Sequence, residues 1–392
     1  MFLHLTTIFI VIRFLKNKEI TLRYNKPLLI FTGLWLISLT LSTIFSIAPS
    51  LSFWGSYDRV QGFISHLAYV FLFLIFLNVL KGKKEQEVFL KNLLAVSFVV
   101  SLHAIIQQFG IGIFAKGAME EFLGRSFAAF GHPNFLGQFL LFPIWVGIYF
   151  LIASKRKILV SFIVLPVVFA LFLSENRASI LGLVISAIFY VLLTLNFKKH
   201  YKYLAVSSLA LSFAGFILFF APSLRSLSSR FYLWEGSLKI FPDHPLIGSG
   251  LETFKLVFQK VTSAALFDLE QLYSIADRAH NEYLDILVTQ GIFGLTVWLS
   301  IIFGVFYLAF RKRKLLIKNK LLATCLSAFI AILVSNFFGF SLTTHYVVLG
   351  LLLAVLLNNL LKIKFKKIHL GLLTACISGI LLTFSVFGIF TA

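Results

Sequence analysis

His280, with Asn281 beside it, stands just ahead of a long apolar run in ADRAHNEYLDILVTQGIFGL (276–295). Its type and place suit acid–base chemistry. The unpaired N–H groups and peptide dipoles make a helix start a positive end. That field disfavours imidazolium, so His280 is expected to stay neutral and able to accept a proton near pH 7. The same field favours an anion bound nearby. The alternative is that His280 or Asn281 does no more than cap the helix. Four arginines bring complementary chemistry: Arg125 in the connection 110–132, Arg177 in the turn SENRAS (174–179), Arg230, and Arg278 just before the histidine. They could converge on one anionic group, and the guanidinium fork suits a diphosphate through bidentate geometry. Glu175 lies two residues from Arg177, and an ion pair between them is the alternative. His4, His66, His103 and His345 fall in or at the ends of apolar runs and read as interhelical hydrogen-bonding residues. No Cys/His cluster has metal-ligand spacing, and no Walker or Rossmann glycine motif is present, so no metal or other cofactor is expected.

The elements that position these residues follow from composition. Of 392 residues 59% are hydrophobic and 13% charged, with mean hydropathy +0.95 and 47 phenylalanines. A soluble domain has about a quarter charged residues, and this chain could not hide its apolar surface from water. About twenty apolar residues cross a bilayer. Spans are expected near 27–47, 61–80, 92–109, 133–153, 158–174, 178–196, 203–221, 283–310, 320–340, 345–361 and 369–391. A shorter twelfth lies at 2–15, which lacks the basic start and small-residue cleavage site of a signal peptide. Cys325 and Cys376 both lie in such runs and read as packing residues. The segments 16–26, 81–91, 155–157, 198–202, 311–320 and 362–367 hold 24 of the 35 basic residues and only Glu19, Glu85 and Glu87 among acids. Two spans separate each basic segment from the next, which places all of them in the cytosol. The net charge of +20 therefore reads as a topological determinant with attraction to anionic lipid, and no nucleic-acid partner is expected. The fold class is an all-α integral membrane protein of 11–12 helices, one polytopic domain over 1–392, in the cytoplasmic membrane.

The cytosolic segments are short, which leaves the membrane and the outer face for chemistry. The largest outer stretch is 222–282. Within LSSRFYLWEGSLKIF (227–241), Phe231, Trp234, Leu238 and Phe241 recur at helical spacing and define an expected apolar face, with Arg230 one turn before Trp234. FPDHPLIGSGLETF (241–254) then breaks the helix, and Gly248 and Gly250 permit tight backbone geometry.

At these residues the chain resembles the O-antigen ligase and O-antigen polymerase family of bacterial membrane glycosyltransferases. The resemblance rests on R-x-x-x-W-x-x-x-L (Arg230, Trp234, Leu238), P-L-I-G-S-G-L-x-x-F (Pro245 to Phe254) and A-H-N-x-Y-L-x-x-L-x-x-x-G (Ala279 to Gly291). SENRAS is similar to the family's arginine-bearing turn, with Glu175 and Asn176 in place of small residues, and the Asn134 region to a P-N-x-L-G segment. The resemblance implies a GT-C-like bundle in which 222–282 is a large periplasmic or other extracytoplasmic loop. It implies metal-independent transfer of a glycan from an undecaprenyl diphosphate carrier to an acceptor hydroxyl on lipid A core, another glycan or a protein, in surface polysaccharide or lipopolysaccharide biosynthesis. His280 would then be catalytic, taking or orienting the acceptor proton. Arg177, Arg230, Arg125 and Arg278 would bind the diphosphate, with Asn281, Trp234, Glu175 and Asn134 in support. It also implies cytosolic termini, whereas span parity places Met1 and Ala392 outside. The rival classes are a transporter or flippase and a non-catalytic assembly partner. A transporter is expected to show inverted repeats and charges inside spans, and neither is evident here.

Overall fold

A computed structural model describes residues 19–111, 122, 124–194, 207, 224–262, 276–361 and 364–369. The expected spans 2–15, 203–221 and 369–391 lie outside the described residues or nearly so. Seven described helices are long and apolar enough to cross a membrane: α1 (Lys26–Ile44), α4 (Lys83–Gln108), α5 (Pro133–Ala153), α7 (Arg177–Thr194), α10 (Glu282–Arg311), α12 (Lys320–Phe337) and α13 (Thr343–Leu360). Two apolar helices are shorter, α3 (Phe63–Val79) and α6 (Lys157–Leu173). Between them lie α2 (Pro49–Trp54), α8 (Leu224–Ile240), α9 (Phe254–Phe258) and α11 (Arg313–Lys318). A two-stranded antiparallel ribbon pairs β1 (Glu19–Tyr24) with β2 (Lys364–His369), bringing two of the basic segments together.

Local sequence explains where these helices start. Asn25 caps α1, its Oδ1 accepting from Leu28 N at 3.4 Å ahead of Pro27. Asn319 caps α12 from Leu322 N at 3.2 Å. In α5, His132 takes the capping role ahead of Pro133. Such caps satisfy N–H groups that a helix start leaves orphaned, and proline at the first turn loses no bond. One boundary differs from expectation. The stretch 83–91, read as a basic loop, forms the first turns of α4. Lys, Glu and Gln are good helix formers, and Glu85 bonds back to Gly82 N at 3.0 Å.

α5 is buried nearly all round and runs through the middle of the bundle, packed against α4, α6, α7 and α12. The Trp145 indole donates to Ser186 Oγ of α7 at 3.0 Å. The outer helices show large bare apolar faces, among them Phe162, Phe303 and Phe310. Soluble monomers rarely expose such patches, whereas lipid covers them. The described parts of the basic segments, 19–26, 81–91, 155–157, 311–320 and 364–367, lie at one end of the bundle, and the N-termini of α5, α7, α10 and α13 lie at the other.

α10 is two helices in one. Gly291 (φ 68°, ψ −171°) breaks it, and a kink frees carbonyls. The P-L-I-G-S-G loop takes them: Ser249 N and Gly250 N donate to Val288 O and Thr289 O at 2.9 and 3.0 Å. On the far side, Ile292 N and Phe293 N donate to Pro245 O and Leu246 O at 2.9 and 3.1 Å. Gly248 (φ 76°) has no room for a Cβ against the Thr289 backbone, nor Gly291 against Leu246. The spacing of two motifs 40 residues apart is thus one docking joint.

α8 corrects the expected face. Phe231 and Leu238 are more than half exposed, while Leu233 and Ile240 are buried with Phe254, Val257, Phe258 and Val288. Gly236 sets this rotation, because the Phe258 ring packs where a side chain would stand. Trp234 sits between the two faces, edge-on to Phe337 at 5.5 Å.

Candidate functional site

His280 occupies the left-handed region (φ 47°), an uncommon place for a residue with a Cβ. Asn281 is the cap of α10: its Oδ1 accepts from Tyr283 N and Leu284 N at 3.0 and 3.1 Å. With the cap supplied by its neighbour, the imidazole is released to line a cavity of about 180 Å³. The cavity is walled by Arg59, His132, Asn134, Phe135 and Gln138, and by Asn176, Ser335 and Phe338 to Phe340.

His280 is kept neutral, as the sequence implies, though the leading cause is different. Burial lowers its pKa to about 4, helped by the positive charges of Arg230 and Arg59. His132 is likewise pushed down to about 4 by burial, then by Arg125, His280 and Arg59. Burial also lowers Arg230, and Arg125 and Arg177 lower it further. Mutual repulsion among cations is the mark of a site built to receive an anion, and the positive ends of α5, α7 and α10 add to it.

Each member is fixed by a different element. Arg125 donates through Nε and Nη2 to Ser174 O at 3.0 and 2.9 Å, and through Nη2 to Asn134 Oδ1 at 2.8 Å. Burial lowers its pKa, Glu175 raises it and Arg177 lowers it. Asn176 Nδ2 donates to Asn134 O at 2.7 Å, so the SENRAS turn, the Arg125 connection and the start of α5 form one knot. Arg177 begins α7 and is exposed, as is Glu175, whose φ is 47°. Trp234 backs the cavity through Phe338, with ring centroids 6.1 Å apart.

Arg278 departs from the sequence reading. It does not line the cavity. Its Nη1 donates to Asp285 at 2.6 Å and its Nη2 pairs with Glu252, which also accepts from Ser56 Oγ at 2.7 Å. Burial opposes this charge, but Asp285, Tyr346 and Glu282 more than offset it and raise the pKa. Both prongs of the fork are occupied, so Arg278 locks the glycine loop to the His280 segment.

Sequence reasoning missed Arg59 and His132. Arg59 pairs with Asp277 and stacks on Phe340 at 4.9 Å, and the same ring packs edge-on to His280 at 5.4 Å. Only their side of the membrane was readable. Arg59 falls in a connection on the same side as the other four arginines, and His132 sits in the GHPN run. His345 behaves as expected, reaching from α13 to Phe135 O of α5 at 2.9 Å. A second, larger cavity of about 670 Å³ runs between α1, α3, α10 and α13. It is walled by Phe31, Trp35, Phe73 and Trp298, from Asn25 and Leu361 at the basic end to His66 and Tyr346 at the other.

Residues 162–299 match the family model described as O-Antigen ligase, a stretch that contains Arg177, Arg230 and His280. A "Putative polysaccharide ligase" of Rickettsia typhi is 22% identical over 255 residues, 60% of this chain and 59% of that protein. A protein of the same name in Rickettsia felis is 23% identical over 208 residues, 48% of this chain and 50% of its own length. A "General O-oligosaccharyltransferase" of Acinetobacter baylyi is 24% identical over 224 residues, 51% of this chain and 38% of that protein. The chain thus spans between about two fifths and three fifths of the relatives it matches. The motifs that carried the resemblance lie in or beside the matched region, and through residues 162–299 this chain is similar to the O-antigen ligase family.

Proposed function

We propose that the protein is a metal-independent glycosyltransferase that moves a glycan from an undecaprenyl diphosphate carrier to an acceptor hydroxyl on the extracytoplasmic face. The bundle has about twelve spans in one polytopic domain, and 222–282 is its large outer loop. The observation that carries this reading is a neutral His280 on a cavity wall inside the field of Arg59 and Arg230.

The acceptor oxygen attacks the anomeric carbon as the bond from that carbon to the phosphate oxygen breaks. The electron pair leaves with the diphosphate, and the acceptor proton passes to His280. Attack opposite the leaving group inverts the anomeric centre. Charge developing on the diphosphate is met by Arg177 and Arg230, with Arg125 behind them, and such fixed cations often supply the largest share of catalysis. The bound anion also offsets the cations that depress His280, which raises its basicity when a base is needed. Arg278 is removed from the diphosphate ligands and assigned to holding the loop. The apolar groove of about 670 Å³ receives part of the polyprenyl tail.

The test is glycan transfer by the reconstituted full chain with His280→Asn, Arg177→Gln and Arg230→Gln. Each is expected to lose transfer while remaining folded. Full transfer by all three overturns the proposal, and substrate movement across the bilayer that survives them points to a transporter.

A further inference from the structure

His132 and His280 both line the cavity, and their surroundings prepare them for different work. His280 stands one residue before the cap of α10, and Asn281 does the capping in its place. His132 is itself the cap of α5: its Nδ1 accepts from Asn134 N at 3.0 Å. A neutral imidazole carries one proton, and a nitrogen that accepts a backbone N–H cannot hold it. The proton of His132 is therefore on Nε2. A second proton would set Nδ1–H against the Asn134 N–H, with no acceptor between them. The cap thus opposes imidazolium, in addition to burial and the charges of Arg125, His280 and Arg59.

The ring is also held in direction. Phe122 lies edge-on to it at 4.9 Å, and Phe135 packs on it at 5.4 Å between centroids. Asn134 ties it to a cation: the backbone N–H of that residue holds His132, and its Oδ1 holds Arg125 Nη2 at 2.8 Å. Arg59 shares the cavity wall. An anion among these cations still needs donors for its remaining lone pairs. Another cation would repel those already present, whereas a neutral N–H donates without adding charge. An imidazole kept neutral at a helix start serves as a donor and not as a base.

We infer that His132 is a hydrogen-bond donor to the diphosphate of the sugar carrier, its Nε2–H meeting a phosphate oxygen while the start of α5 holds its Nδ1. The inference rests on the glycosyl-transfer reading and divides the two histidines between the halves of that reaction. His280 serves the acceptor and His132 the leaving group, and no proton leaves His132.

Binding tests this without turnover, with inorganic pyrophosphate as the probe and the full chain in nanodiscs. His132→Ser keeps a side chain that caps well and removes the Nε2–H. Its pyrophosphate affinity is expected to fall roughly 10- to 100-fold, the scale of one hydrogen bond to a charged group. A lower Tm with affinity retained overturns the inference and leaves His132 a cap. The ratio of the two affinities is expected to hold between about pH 6 and 8, because a neutral donor does not titrate there. Taking the ratio cancels the titration of pyrophosphate itself. A ratio that grows on acidification marks an imidazolium and overturns the inference. In the native chain, NMR of isotope-labelled histidine, assigned through His132→Gln, is expected to show the Nε2–H tautomer at His132 and a shift of that proton on adding pyrophosphate. An Nδ1–H tautomer, or no shift at saturation, overturns the inference even where His132→Ser does not fold. Absence of saturable pyrophosphate binding overturns it equally. Loss of the transfer reading would appear instead as undiminished transfer by the His280 and arginine variants.

Discussion

At the scale of residues, the site works by making charge expensive. His280 and His132 are held neutral by burial and by the cations around them, each with a pKa near 4. His280 is therefore deprotonated down to about pH 4 in the free protein. The acid limb of kcat/KM is expected well below the ordinary histidine value of about 6.5, and Arg230→Gln is expected to move it upward by removing a cation. A limb at 6.5 in the unsubstituted protein would refute this. The same shifts set the acid stability. Both folded pKa values lie below the unfolded one, so the unfolded chain binds more protons between about pH 6.5 and 4. The Tm is expected to fall as the pH is lowered through that window, and more shallowly in His132→Gln. The backbone of His280 also decides which substitution is informative. Asn tolerates the left-handed region better than most residues, so His280→Asn is expected to cost roughly 10²- to 10⁴-fold in transfer at unchanged Tm. The place of His280 beside a helix start was legible because it stands just before a long apolar run. Arg59 was not, because a lone arginine in a short connection gives no spacing to read.

At the scale of elements, the loop–helix joint does what no single motif announces. Gly248 faces the backbone of Thr289 and Gln290, and Gly291 that of Leu246 and Ile247, so two stretches that look like separate signatures are one contact. Arg278 closes it from the side through Glu252 and Asp285. Removing one partner leaves buried charges uncompensated, and Arg278→Met is expected to destabilise by about 3–5 kcal/mol. The result should appear as a lower Tm at preserved pyrophosphate affinity in the fraction that remains folded. Loss of pyrophosphate binding at unchanged Tm would restore Arg278 to the diphosphate ligands. Asn281→Ala removes the cap alone and is expected to cost about 1 kcal/mol. Helix existence was well marked by apolar length, and α5 was placed at 133–153 from sequence. The rotation of α8 was not, since both its sides carry large apolar residues and only the Phe258 ring over Gly236 chooses between them.

At the scale of the whole molecule, helix direction sorts the two ends. The described basic segments cluster at one end, and the N-termini of α5, α7, α10 and α13 with the mutually repelling cations stand at the other. Cations that repel one another work against the fold, so pyrophosphate is expected to raise the Tm of the full chain, an effect lost in an Arg177→Gln, Arg230→Gln double variant. A shift that persists in that variant would place the anion elsewhere. The groove between α1 and α13 carries a separate consequence. From Tyr346 to Leu361 it follows one side of α13, and fifteen residues at ~1.5 Å each give a length of about 22 Å. That is a ruler. A long isoprenoid cannot be housed in it end to end, so its far units must trail into the bilayer. Carriers should therefore gain affinity with each added unit only until the trough is full, and grow indifferent to length beyond it.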